Sequence, residues 1–168
     1  YLKEKLNGEM PDYITIMLGT NDVFGATDET RSDTVESMIG YAKILIDGIR
    51  AAAPNAKIAI LPPVPPNASQ DAFGANYHSN QTRWGYLKNQ HLAVLRLMQT
   101  FGDREKENLY IVPAYTNIDC VHNFPSALKA VNARNETKVE RATNGVHPAP
   151  AGYMQIADSI FGWIKSQV

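Results

Sequence analysis

One cysteine, Cys120, is all that the 168 residues hold, so no internal disulfide framework can staple the chain. Charge bias is missing too. Lys and Arg number 16 against 17 Asp and Glu, and neither a basic block nor a basic helix face occurs. Nucleic acid is therefore not an expected partner. Apolar runs stay well below the length that crosses a bilayer, so no membrane partner is expected. His78, His91, His122 and His147 show no metal-ligand spacing, and no glycine-rich phosphate loop appears. Neither a metal nor a nucleotide cofactor is predicted. Tyr1 does not open a signal peptide. The compartment stays open, a secreted or periplasmic one included. Internal repeats, low-complexity tracts and linkers are also lacking.

What is present suits one globular domain over residues 1–168, with 44% hydrophobic residues to build a core. The pattern alternates strands and helices. Leu2 and Leu6 mark a helix end that Asn7-Gly8 stops. Tyr13 to Leu18 is apolar on both faces except at Thr15, the signature of a strand covered on both sides in a parallel sheet. Val23 to Arg31 is polar and predicts a loop. Asp33-Thr34-Val35-Glu36 has capping-box spacing. Val35, Met38, Ile39, Ala42, Leu45, Ile46 and Ile49 then repeat every three to four residues as one buried helix face.

Lys57 to Leu61 predicts a second strand, cut off by the prolines of 62–66, which cannot extend a ladder. Asn67 to Thr82 is a long polar stretch, in which Tyr77 and His78, with Trp84 beyond, are candidates to flank a pocket. A second amphipathic helix over Trp84 to Phe101 should bury Trp84, Leu87, His91, Val94, Leu95, Met98 and Phe101. Leu109 to Pro113 predicts a third strand, and Ala114 to Gly145 an irregular polar region. The last helix starts near Pro150 and should bury Tyr153, Ile156, Ala157, Ile160, Trp163 and Ile164. With right-handed crossovers, this order gives a parallel sheet between helical layers.

Two stretches can carry chemistry. Gly19-Thr20-Asn21-Asp22 follows the first strand and sets an amide at the carboxyl edge of the sheet, where open α/β sheets keep their ligand sites. Asn144-Gly145-Val146-His147-Pro148 fixes a histidine stiffly ahead of the last helix. Alone, the first reads equally well as a turn with local Asx hydrogen bonds, and the second as a backbone-bonded histidine.

Taken together, Gly19-Thr20-Asn21-Asp22, then Gly145-Val146-His147-Pro148 and Gly152-Tyr153, resemble the SGNH hydrolases, the GDSL-type esterases and lipases. The resemblance runs from Pro11 into the last helix. It implies a three-layer α/β/α sandwich of flavodoxin-like type with a parallel sheet. It also implies a serine esterase of O-acyl esters, with a small-molecule or carbohydrate ester (an acetyl carbohydrate among them) as substrate. Asn21 is then the oxyanion donor and His147 the general base. Gly19, Asp22 and Val146 are expected on the substrate side.

Two departures bear on this. The family's nucleophile sits in a Gly-Asp-Ser block ahead of the Gly-x-Asn-Asp strand, and none of Ser32, Ser37, Ser69, Ser79, Ser126, Ser159 and Ser166 has that context. The expectation is that this chain is the carboxyl-terminal part of the domain. Its first strands and its serine would then come from an amino-terminal part of the same protein, and the fragment alone would be inactive. The doubly apolar strand at Tyr13 agrees, since it asks for a neighbour on each side. Second, the family's Asp three residues before the histidine is Asn144 here, leaving Asn144, Asp119 or a backbone carbonyl to orient His147. The alternative is a degenerate, non-catalytic member that binds a glycan or a partner in the old cleft.

Overall fold

The computed structural model describes residues 2–76 and 80–168. Helix α1 (Leu2–Lys5) ends where Asn7 and Gly8 both adopt positive φ, as the stop signal predicts. Strands β1 (Tyr13–Ile16), β2 (Lys57–Ile60) and β3 (Leu109–Ile111) form a parallel sheet in the order β1-β2-β3. The crossovers are helix α3 (Arg31–Ala52) and helix α5 (Arg83–Phe101), and helix α6 (Pro150–Lys165) closes the chain. Short helices α2 (Thr20–Phe24) and α4 (Asp71–Asn76) lie in the loops after β1 and β2.

Alternation along the strands sorts the core into two clusters. Ile58 and Ile60 join Val35, Met38 and Ile39 of α3 and Tyr86, Leu97 and Phe101 of α5. Ala59 and Leu61 join Ile156 and Trp163 of α6. Trp163 is gripped between two strand tyrosines, with ring centroids 5.7 Å from Tyr13 and 5.6 Å from Tyr110.

Several expectations need correction. Strand β1 stands at the sheet edge, as expected of a chain without the first strands, pairing among the described residues only with β2, but its apolar run is less covered than expected, and beyond its end Leu18 is 66% exposed. The polar stretch after it holds helix α2, and α3 starts at Arg31 rather than at the Asp33 box. The Thr27 to Thr30 turn starts it instead: Arg31 N donates to Thr27 O at 2.9 Å and Thr34 N to Thr30 O at 2.9 Å. Helix α5 is rotated from the expected face. Trp84, His91, Leu95 and Met98 are exposed, while Tyr86, Asn89, Gln90, Ala93 and Leu97 are buried. The buried stripe includes two amides, which a count of apolar positions passes over. In α6, Tyr153 and Ala157 face out, and Gly152 takes the inner place because a Cβ there would lie 2.6 Å from Asn123 O. The supposedly irregular region forms an antiparallel hairpin, β4 (Ser126–Asn132) and β5 (Asn135–Ala142). Both strands are largely exposed, so no apolar alternation announces them. Tyr77 and His78 lie outside the described residues.

Candidate active site

Asn21 sits in the first turn of α2, directly beyond the carboxyl end of β1. Gly19 makes the corner. Its φ of 106° favours glycine, and a Cβ would come within 2.8 Å of Met38 Sδ. Val23, on the inner side of α2, is fully buried, which turns the Asn21 side chain outward. That amide makes no hydrogen bond to the described residues, so its N–H groups are open to an incoming oxygen.

The loop that carries Asn21 is held from below by α5. Asn89 donates through Nδ2 to Val23 O at 2.9 Å and to Ala26 O at 2.8 Å, and its Oδ1 accepts from Arg31 Nε at 2.7 Å. Gln90 Nε2 donates to Pro63 O at 2.7 Å, fixing the proline loop after β2. Burying two amides is costly unless they are bonded; Asn89 uses both ends of its amide, while Gln90 spends its N–H on Pro63 O and its buried Oε1 has no partner among the described residues. The readable signal is polar residues placed inside a helix's buried stripe.

His147 stands in a turn built by Asn144. Asn144 Oδ1 accepts from Val146 N at 2.9 Å and from His147 N at 2.8 Å. Gly145 O accepts from Asn67 N at 3.0 Å, tying the turn to the loop beyond the carboxyl end of β2. Val146 is 9% exposed and shares a core cluster with Val23 and Phe73. Two buried valines, one next to His147 and one two residues after Asn21, thus seat both loops on the same cluster. Aromatic packing continues under them, with ring centroids 6.3 Å apart for Phe73 and Tyr86 and 5.4 Å for Phe24 and Tyr86. The His147 ring is exposed and makes no hydrogen bond to the described residues.

The residues expected on the substrate side do not act as a group. Gly19 and Asp22 line an apolar cavity of about 200 Å3 beside β1, together with Leu18, Met38, Tyr41 and Leu45. Val146 lies in the core and seats the His147 turn instead. Asp119 is committed elsewhere. Its Oδ2 lies 2.9 Å from His122 Nδ1, and its Oδ1 accepts from Val121 N at 2.8 Å and His122 N at 3.0 Å. Those contacts, the His122 backbone N–H first, pull its carboxyl down to about 2. Cys120 is a poor nucleophile, because burial, and then the Asp119 charge, push its thiol pKa up. Among the described residues no group of three or more His, Cys, Asp or Glu is placed to hold a metal. No described helix is long and apolar enough to cross a membrane.

The fold has solved relatives. A protein from Streptococcus pneumonia, provisionally described as a platelet activating factor, superposes with a TM-score of 0.55 at 19% identity, over 96% of this chain and 65% of its own. A protein from Chitinophaga pinensis DSM 2588, provisionally described as a lipase, gives 0.54 at 19% identity, over 98% of this chain and 77% of its own. The chain therefore spans just under two thirds of the first neighbour's length. No curated protein sequence matches it. At these identities the likeness speaks for the fold, a GDSL-hydrolase arrangement of helices on a parallel sheet. The sequence profile of the GDSL-like Lipase/Acylhydrolase family matches residues 2–155, nearly the whole chain, and the chain belongs to that family.

Proposed function

We propose that this chain carries the oxyanion donor, Asn21, and the general base, His147, of a serine esterase acting on O-acyl esters. The observation that carries the reading is the common seat of the two loops. Val23 and Val146 share one buried cluster, and Gly145 is bonded to the loop beyond β2. Both functional side chains are left outward above it, with no hydrogen bond to the described residues. In the reaction a serine oxygen attacks the ester carbonyl, His147 takes its proton and returns it to the leaving alcohol, and Asn21 donates to the oxyanion.

The serine comes from an amino-terminal part of the same protein outside this sequence. That part also supplies the first strands of a three-layer, flavodoxin-like sandwich. The edge of β1 left unpaired among the described residues is where they would join, beside the exposed Leu18, Tyr41 and Leu45. An apolar unpaired edge is a pairing template. A chain of these 168 residues that is stable and monomeric with β1 exposed overturns this part of the reading.

For the chemistry, Asn21→Ala in the full-length protein should lower kcat on p-nitrophenyl acetate by about 10²–10³-fold. Fluorophosphonate should label a serine outside this sequence, and label on any of its seven serines would refute the assignment. One observation favours a second reading, a non-catalytic member that binds a glycan or partner. Asn144 Oδ1 accepts from two backbone N–H groups and its other side-chain atom is an amide nitrogen, so Asn144 brings the His147 ring no orienting carboxylate. Absence of any serine label together with glycan binding would decide for it.

A further inference from the structure

We propose that the polar cavity beside the His147 turn is a subsite for a polyhydroxylated group, a sugar ring on the alcohol side of the ester. Its place in catalysis rests on the esterase reading; its chemistry rests on its own walls. The cavity holds about 460 Å3, within the roughly 300–1,000 Å3 of small-molecule pockets. Three segments enclose it: the loop from Asn67 to Asp71, the turn from Val121 to Ser126, and the end of β5 from Glu140 to Ala142.

Each wall is fastened to the His147 turn. Asn67 N donates to Gly145 O at 3.0 Å, Thr143 N to Pro125 O at 2.8 Å, and Ala149 N to Asn123 O at 2.9 Å. Strand β5 runs straight into Asn144. A ligand held here therefore lies next to the proposed base, on walls that keep their distance from it.

The lining carries charge of both signs, the guanidinium of Arg141 against the carboxylates of Asp71 and Glu140. Arg141 Nη1 donates to Asp71 Oδ2 at 2.7 Å, and Ser126 Oγ donates to Glu140 Oε1 at 2.5 Å. Two carboxylates disfavour an anion, and with Arg141 and Ser126 already bonded to them a cation is not favoured either. A neutral ligand that both donates and accepts at adjacent atoms is, and the vicinal hydroxyls of a sugar do this. Ala68 and Val121, the latter 62% exposed, offer an apolar strip for the C–H face of a ring.

His122 is the most telling group. Its side chain is 78% exposed, yet the Asp119 carboxylate fixes its ring. Asp119 is fixed in turn by the N–H groups of residues 121 and 122, and its own N–H donates to Gln155 Oε1 of α6 at 2.8 Å. With Nδ1 held at the carboxylate, the ring keeps Nε2 as its outward polar atom at a set angle. A solvated surface histidine has no use for that support; a hydroxyl-binding one does.

The test uses the full-length protein, methyl α-D-glucopyranoside as the binding probe, and two substrates, an acetylated methyl glucoside and p-nitrophenyl acetate. The glucoside should shift the amide resonances of residues 68–71, 121–126 and 140–142, and Glu140→Gln and His122→Ala should each weaken that response. The same variants should lower kcat/KM on the sugar ester about tenfold more than on p-nitrophenyl acetate, the loss expected for one removed hydrogen bond. If one variant fails to fold, the other decides, and the wild-type titration stands by itself. The proposal is overturned by an absence of shifts at roughly 50 mM glucoside, where even a millimolar binder is saturated. Shifts confined to other residues, or equal losses on both esters, overturn it too. If neither ester is cleaved while the glucoside still shifts these amides, the esterase reading falls and the subsite stands. Cleavage of p-nitrophenyl acetate without those shifts leaves the esterase and removes the subsite.

Discussion

Two turns in this molecule share one plan and differ at the atoms that matter. Asp119-Cys120-Val121-His122 and Asn144-Gly145-Val146-His147 both open on a side-chain oxygen that accepts from the N–H groups two and three residues on. In the first, the remaining carboxylate oxygen holds the histidine ring at 2.9 Å. In the second, that place belongs to an amide nitrogen, and the ring makes no bond to the described residues. Packing runs the other way. Val121 is 62% exposed and Val146 is 9% exposed. One turn orients its histidine by charge and leaves its backbone near the surface. The other locks its backbone into the core and leaves its histidine open. The first arrangement suits a fixed hydrogen-bonding group; the second leaves the His147 ring accessible to a reacting proton but gives it no carboxylate to orient it.

The sharpest way to break the comparison is to remove each histidine in turn. If the turns were interchangeable, His122→Ala and His147→Ala would cost the same in kcat on p-nitrophenyl acetate. The expected result is a loss of about 10²–10⁴-fold for His147→Ala, at least a hundredfold larger than for His122→Ala, measured on full-length protein.

The next test concerns packing. A Cβ on Gly145 would lie 2.5 Å from Phe73 Cε2, inside a ring that has no room to retreat. Gly145→Ala should destabilise by about 1–3 kcal/mol in urea unfolding. At the matching position of the other turn, Cys120→Ala should cost less than about 1 kcal/mol. Equal losses would mean that the two turns are seated alike.

A smaller effect should follow from Asn144→Ala, which takes the acceptor from two backbone N–H groups, one of them on buried Val146. About 1–2 kcal/mol of stability should go. Asn144→Asp keeps the acceptor and adds a carboxylate oxygen where the Asp119 turn has one. It should restore most of that stability and raise kcat if orientation of His147 limits the rate. A kcat unchanged in both variants would remove Asn144 from any role in the reaction.

What the sequence reveals of these turns follows from the physics each uses. The sheet strands are legible because burial on both faces demands unbroken apolar runs, as at Ile58 to Leu61. Gly19-Thr20-Asn21-Asp22 and Gly145-Val146-His147-Pro148 are legible because backbone sterics and chemistry restrict them to a few residue types. The face of α5 is not. Asn89 and Gln90 are buried to serve carbonyls of distant loops, a demand that appears only once those loops are in place. The hairpin is hidden for the opposite reason: β4 and β5 are held by cross-strand hydrogen bonds with little burial, so their sequence is free to look irregular. The Asp119 and His122 pair escapes for a third reason. The sequence offers Asp119 as a carboxylate for His147, and only the fold gives it to His122, three residues on.

The gentlest test is a titration, because only one of the two turns has a carboxylate to titrate. The Asp119 carboxyl is lowered from 3.8 to about 2, chiefly by the His122 N–H, then by the His122 ring and the Val121 N–H. A carboxylate whose folded pKa is depressed binds its proton more readily unfolded than folded. Its stabilising contribution is complete above the unfolded value near 4 and disappears as pH falls through about 2. Wild-type stability should therefore decline over that window, and Asp119→Asn, which keeps the acceptor for both N–H groups but cannot ionise, should flatten the decline. The Asp119 carboxyl carbon should titrate by NMR with a midpoint of about 2. A midpoint near 4 would mean that the carboxylate is not held by its turn. The charge-oriented histidine would then be no better fixed than the open one, and the contrast between the two turns would rest on packing alone.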